Sequence, residues 1–397
     1  RLVHRSSAIP SYFLVFDEIS HQTKGRNFMN KSTKLIILLL SLLLLLTGCG
    51  QSASGPSQDA GSGQSGSPAV SGGKDEAAAT HILTDAEGRQ VELPDPVTRA
   101  VVSNAYNAEL IKGVGAIDRV VGVANAIYAD RDCYSMFTED QVISSGSGET
   151  NYEKIVQLNP EVFILPNNGG YEEAIEKLTP FGIKVFVVNC YFTQDFEKNC
   201  QMIGDIFGEQ ENAQKLSDYF MDKLDYINKQ LEGVEKKRLY FEYRNPGTTT
   251  VPGDYFFNMV EYAHADNLFK DAPNKNIEIE AVIDANPDYI FKVSQPEVPF
   301  VYTPPTPEDH KAVHDEICSR PGWDEITAVK EDNIFLISGY GHGGASKLVG
   351  TMYLAKFLYP DLLPDLHPEQ VFKDWQEQFQ QLAYPPGHTY PALSLED

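Results

Sequence analysis

Positive charge is scarce in this sequence: 32 Lys and Arg stand against 56 Asp and Glu, a formal net charge of −24 at pH 7. So acidic a chain argues against nucleic acid or anionic lipid as a partner. Cysteine is sparse as well. Beyond Cys49 there are Cys133, Cys190, Cys200 and Cys318, whose scattered spacing matches no zinc pattern and leaves buried thiols or one disulfide open. No HExxH or GxSxG occurs, and no Cys pairs with a nearby base in sequence as a catalytic thiol would. The glycines of SGYGHGGASK invite a nucleotide reading, but Ala345 and Ser346 separate Gly344 from Lys347, which excludes a phosphate-binding loop. A membrane-spanning run is missing too: Leu35 to Leu46 is about 12 apolar residues, whereas a span needs roughly 20.

That short run is informative in context. MNKSTK (Met29 to Lys34) precedes it and LTGC, ending at Cys49, follows, which makes a secretory signal peptide over residues 29–48. LTGC resembles the bacterial lipobox, so Cys49 is expected to carry lipid. Residues 1–28 have neither an initiating Met nor clear periodicity and are expected to be an upstream extension. Residues 49–79, small and polar, suit a flexible tether. Without residues 1–48, which hold six Lys or Arg and two Asp or Glu, the charge moves from −24 to −28.

The remaining body is long enough for two cores. Strand-like runs (Ala100 to Ser103, Val162 to Leu165, Lys184 to Val188, Arg238 to Tyr243, Asp288 to Val293, Ile334 to Ser338) alternate with helical segments, predicting an α/β fold with mostly parallel sheets. HILTDAEGRQVELP predicts a hairpin around Glu87 and Gly88. An internal repeat organises the rest: EKIVQLNPEVFIL from Glu153 matches EAVIDANPDYIFK from Glu280, 127 residues later. Each copy predicts a short helix, an Asn-Pro break and a buried strand. Between the copies Ala213, Leu216, Phe220, Leu224, Ile227 and Leu231 mark one face of a long helix. The expected layout is an N-terminal lobe at 80–207, a linking helix at 208–235 and a C-terminal lobe at 236–392. A helical strut implies limited lobe closure.

With TDAEGRQVELPDPVTRAVV, GAIDRVVGV, the two Glu-to-Pro repeats, PGWDEITAVKEDNIFLI and YLAKFLYPD in this order, the body resembles the helix-linked (class III) substrate-binding lipoproteins of ABC transporters, which carry iron-siderophore complexes, haem or vitamin B12. The resemblance implies two α/β lobes joined by one long helix, a cleft between them, no catalysis and no cofactor of the protein's own. It also implies delivery of a metal chelate or corrinoid to a permease dimer from the outer face of the cytoplasmic membrane. Glu153 and Glu280 match acidic positions that meet arginines on the two permease subunits. Val293 to His310 is longer and richer in Pro than the family pattern.

Ligands of open α/β sheets bind beyond the carboxyl ends of the strands. The loops there carry Tyr106, Tyr191, Tyr255, Tyr302 and Tyr340, whose broad faces suit a flat or bulky ligand. Arg244 follows a strand, where its guanidinium could hold a carboxylate or phosphate. His342 sits in the glycine loop before a helix whose N-terminal amides favour negative charge. These seven residues are the candidate ligand contacts. His310 and His314, four apart, have metal-compatible spacing but no visible third ligand, and are expected to face solvent. Two other readings stay open: a small oxyanion such as molybdate, favoured if Arg244 and the Gly343 region converge, and a surface hydrolase or metal-dependent enzyme.

Overall fold

The computed structural model describes residues 79–144, 148–243, 245–294, 302–342 and 344–396, with His342 described by its backbone alone. The chain opens with an antiparallel hairpin, β1 (Thr80–Thr84) and β2 (Gln90–Pro94), turning at the expected place. Asp85 fixes the turn, accepting from Glu87 N and Arg89 N at 3.0 and 2.9 Å and from Val187 N at 3.2 Å. The last bond ties the hairpin to the first sheet.

That sheet holds β3 (Ala100–Val102), β4 (Val120–Val123), β5 (Val162–Leu165) and β6 (Lys184–Val187) in the order β4-β3-β5-β6, all parallel. Two helices of this lobe matter below: α1 (Ala105–Gly113) and α2 (Tyr152–Leu158). A long helix, α3 (Gln210–Gln230), then leads to the second lobe. Its sheet has the order β11-β10-β9-β7-β8, built from β7 (Lys237–Glu242), β8 (Ala265–Asn267), β9 (Tyr289–Val293), β10 (Ile334–Ile337) and β11 (Thr389–Tyr390). Only the two-residue β11 is antiparallel. Here the relevant helices are α4 (Ile279–Ala285) and α5 (Ser346–Leu358).

Strands buried on both faces need apolar residues at every position. AVV, VFIL and IFLI are buried throughout. Because side chains alternate across a strand, each sheet feeds two cores. Ala100, Val102, Val162 and Ile164 join Phe241, Phe291, Phe335 and Ile337 in one cluster that runs through both lobes. Val101, Phe163 and Leu165 pack on the outer face of the first sheet, and Tyr240, Ile290 and Leu336 on that of the second.

The helix α3 belongs to the shared cluster through the predicted stripe Ala213, Leu216, Phe220, Leu224 and Ile227. At 1.5 Å per residue it is roughly 30 Å long. The Phe220 ring meets Phe196 of the first lobe and Trp375 of the C-terminal segment edge-on, each at 5.4 Å.

The repeat is structural. Both α2 and α4 have seven residues with the Glu second, and their exposure alternates identically, residue for residue, through Pro160 and Pro287. Each ends at an Asn in the left-handed region, Asn159 at φ 47° and Asn286 at φ 44°.

Candidate functional site: an aromatic cleft floored by a buried Glu and Lys

Three of the candidate tyrosines come together between the lobes. Tyr106 is the second residue of α1, placed by Asn104, whose side chain accepts from Tyr106 N at 2.9 Å. Tyr191 follows β6, and its hydroxyl donates to Asn167 Oδ1 at 2.8 Å. Tyr255 reaches in from the second lobe. The Tyr106 ring lies 6.5 Å from Tyr191 and 5.8 Å from Tyr255, both tilted. Burial pushes the Tyr191 hydroxyl up to about 12 and that of Tyr255 well above the usual value, so both stay neutral.

Beneath these rings lies a buried ionisable pair. Lys347, in the first turn of α5, donates to Tyr191 O at 2.7 Å and to Tyr255 O at 2.9 Å, and its Nζ stands 3.3 Å from the Tyr255 ring centroid. One ammonium thereby holds a loop from each lobe. Burial pulls it down to about 7. Glu109 of α1 crosses to the other lobe and takes the start of α5, accepting from Ala345 N at 2.9 Å and the Ser346 hydroxyl at 2.5 Å. Burial pushes it up to about 7, against the opposing pull of those hydrogen bonds and of Lys347. The N-terminal amide that the sequence offers to an anionic ligand is therefore occupied by an internal carboxyl group. Glycine at 344 permits this, since a Cβ there would sit 2.0 Å from Glu109 Oε2 and 2.8 Å from Tyr106 Cδ1.

Tyr302 and Tyr340 form a second pair, rings 6.4 Å apart and edge to face. Tyr302 is half-buried and its hydroxyl donates to Ala383 O. Tyr340 is only 5% exposed, its hydroxyl accepts from Gln376 Nε2 at 2.7 Å, and it stands behind Tyr302. His388 fixes both: Nε2 donates to Tyr302 O at 3.2 Å, so Nδ1 accepts from the Ser338 hydroxyl at 2.5 Å. Burial pulls this imidazole down to about 3, which keeps it neutral. Arg244 and Cys49 lie outside the described residues, as does the side chain of His342, which closes the short turn Tyr340–His342.

The loop after β7 is organised by Glu242. Its carboxylate accepts from Lys292 Nζ at 2.7 Å, twice from Arg320 at 2.8 Å, from the Tyr240 hydroxyl at 2.7 Å and from Gly247 N at 3.3 Å. Burial pushes Glu242 up, but Arg320 and Lys292 outweigh it and hold the group below the usual carboxylate range. Gly247 passes this order on, because its carbonyl accepts from Ile277 N at 2.8 Å just ahead of α4. A Cβ at that position, φ +82°, would lie 2.5 Å from Ile277 O.

One expectation is overturned. His310 is 3% exposed and bonds Gly387 O through Nε2 at 3.1 Å, while His314, its side chain 13% exposed, meets Asp332 at 2.7 Å. Both lie on the helix Pro307–Cys318, and the C-terminal strand covers that face of it, with Tyr390 lying against both imidazoles. Among the described residues no group of three or more His, Cys, Asp or Glu is arranged to hold a metal. The four cysteines of the body are free, three of them buried. Glu109, Gln376 and His388 have no motif that marks them in the sequence; Lys347 was visible only as the lysine of a broken phosphate-loop pattern.

A family model described as periplasmic binding protein matches residues 100–340. The structure is similar to that of a TroA-like periplasmic binding protein, FepB, from Veillonella parvula, with a TM-score of 0.66 and 21% identity over 79% of this chain and 99% of that one. In sequence it is 21% identical over 345 residues to the molybdate-binding protein MolA of Haemophilus influenzae, covering 79% of this chain and 94% of the relative. It is 25% identical over 196 residues to the vitamin B12-binding protein of Salmonella typhimurium, 49% of this chain and 71% of the relative. With the family model spanning both lobes and the helix between them, the chain belongs to the periplasmic binding protein family, the solute-binding proteins of ABC importers, and is not an enzyme.

Proposed function

We propose that the chain captures an iron chelate, haem or a corrinoid between its lobes and hands it to an ABC permease dimer while tethered by lipid on Cys49 to the outer face of the cytoplasmic membrane. The observation that carries the ligand class is the meeting of Tyr106, Tyr191 and Tyr255 from the two lobes. Neutral aromatic faces with a polar edge suit a broad, partly apolar cargo. Tyr302, backed by Tyr340, is a further proposed contact, and Arg244 and His342 complete the set. Glu153 and Glu280, both exposed near the N-termini of matching helices, are the proposed contacts with the two permease subunits.

A small oxyanion is the second reading, favoured by the match to a molybdate-binding protein over 94% of that relative. Occupation of the α5 N-terminus by Glu109 speaks against it, because the cleft's ready-made anion position is already filled. Visible absorption of protein purified from its own cells separates the two. A chelate, haem or corrinoid gives bands in the visible; a colourless protein that releases molybdenum on denaturation would overturn the first reading.

A further inference from the structure

The two proposed docking helices share a device that the sequence repeat does not contain. In the first lobe Arg99 Nε donates to Asn159 O at 3.1 Å and Nη2 to Leu158 O at 2.6 Å. In the second, Arg238 Nη1 donates to Asn286 O at 3.1 Å and Nη2 to Ala285 O at 2.6 Å. The backbone contacts correspond as well: Glu161 N donates to Arg99 O at 2.9 Å, and Asp288 N to Arg238 O at 3.1 Å. The carbonyls are equivalent, 127 residues apart, but the arginines do not keep that offset.

The last carbonyls of a helix have no partners within it and carry its negative end. A guanidinium spanning two of them satisfies acceptors and balances the dipole together. Each of these helices precedes a strand that pairs in parallel with the strand at the arginine: β5 pairs with β3, which Arg99 immediately precedes, and β9 with β7, which contains Arg238. Each helix therefore runs back across its sheet, with the arginine at its foot and the glutamate at the end nearer the strands' carboxyl edge, where the cleft opens. A two-turn helix held at the foot cannot tilt freely.

We propose that Arg99 and Arg238 are positioning residues that hold α2 and α4 so that Glu153 and Glu280 meet the two permease subunits in one geometry. The proposal rests on the docking role of the two glutamates given above. Charge alone predicts the opposite effect of removing them. Taking a cation away from an acidic face that meets arginines would tighten docking, whereas loss of positioning weakens it.

The test measures binding of the whole chain, without added ligand, to its permease in lipid nanodiscs. Arg99→Ala and Arg238→Ala each raise Kd by roughly fivefold, and the Lys variants recover most of that loss. In a Glu153→Ala/Glu280→Ala background the arginine changes cost nothing further, because there is nothing left to position. Thermal melts identify any variant that does not fold, in which case its Gln counterpart, which lacks the guanidinium but keeps a polar side chain, takes its place with the same expected loss. Unchanged or tighter binding by the Ala variants overturns the proposal, as does an equal further loss in the glutamate-free background. Wild-type affinity of the double glutamate variant removes the docking reading itself, an outcome visible before any arginine is changed.

Discussion

Glu109 and Ser346 are 237 positions apart in the chain, yet the carboxyl oxygen of one lies 2.5 Å from the hydroxyl of the other. This contact, with Ala345 N beside it, fastens the first-lobe helix α1 to the start of the second-lobe helix α5 directly under the aromatic cleft. Trp375 Nε1 donates to the same hydroxyl at 3.1 Å, which holds it in place.

The pair has a pH signature. Burial raises Glu109 from 4.5 to about 7 in the folded protein, so the folded state binds its proton more tightly than the unfolded chain does. The corresponding stability is fully present below about 4.5 and is lost as pH rises through about 7, a change on the order of 3 kcal/mol. Lys347, pulled down from 10.5 to about 7, acts in the other window, stability rising from about pH 7 towards 10.5. Urea unfolding across pH checks both: Glu109→Gln flattens the acid-side slope and Lys347→Met the alkaline-side slope. Slopes identical to wild type would mean that neither group is perturbed as its burial requires.

The Glu242 cluster is expected to dominate local stability in the second lobe. Glu242→Ala leaves Arg320 and Lys292 buried without their shared carboxylate, which costs about 3 to 5 kcal/mol. Calorimetry or urea titration measures it. A loss below about 1 kcal/mol would show that water or other acceptors compensate readily.

Docking by carboxylates has a sign as well as a size. If Glu153 and Glu280 face permease arginines, the double Lys variant binds the permease more weakly than the double Ala variant, because like charges then oppose each other at the contact. Equal affinities of the Lys and Ala variants would count against charge as the basis of docking.

The anchor is tested by localisation. Cys49→Ser removes the lipid acceptor, so the chain is expected in the culture medium or unprocessed. A membrane-bound variant with a processed N-terminus would place the attachment elsewhere.

Local pattern carried much of the fold. The apolar runs at β5 and β10, the helical stripe from Ala213 to Ile227 and the Asn-Pro breaks are all set by neighbouring residues and short periods, which sequence displays directly. The site was only partly legible. A position after a strand placed Tyr106, Tyr191 and Tyr255 near one another, but it does not say which way a ring turns, and Tyr340 turns inward onto Gln376. A four-residue spacing put His310 and His314 on one helical face without revealing that β11 covers it. Glu109 was invisible because its partners lie in the other lobe. Arg99 and Arg238 escaped the repeat because the segments between arginine and helix differ in length.

The central claim is that a cargo sits against tyrosines drawn from both lobes. Native mass spectrometry of protein freshly purified from its own cells tests it most directly, with wild type set beside Tyr106→Ala/Tyr191→Ala/Tyr255→Ala. The account predicts a discrete added mass, matching a metal chelate, haem or corrinoid, on the wild type and its loss from a triple variant that remains folded. An equal added mass on both proteins would contradict the cleft assignment.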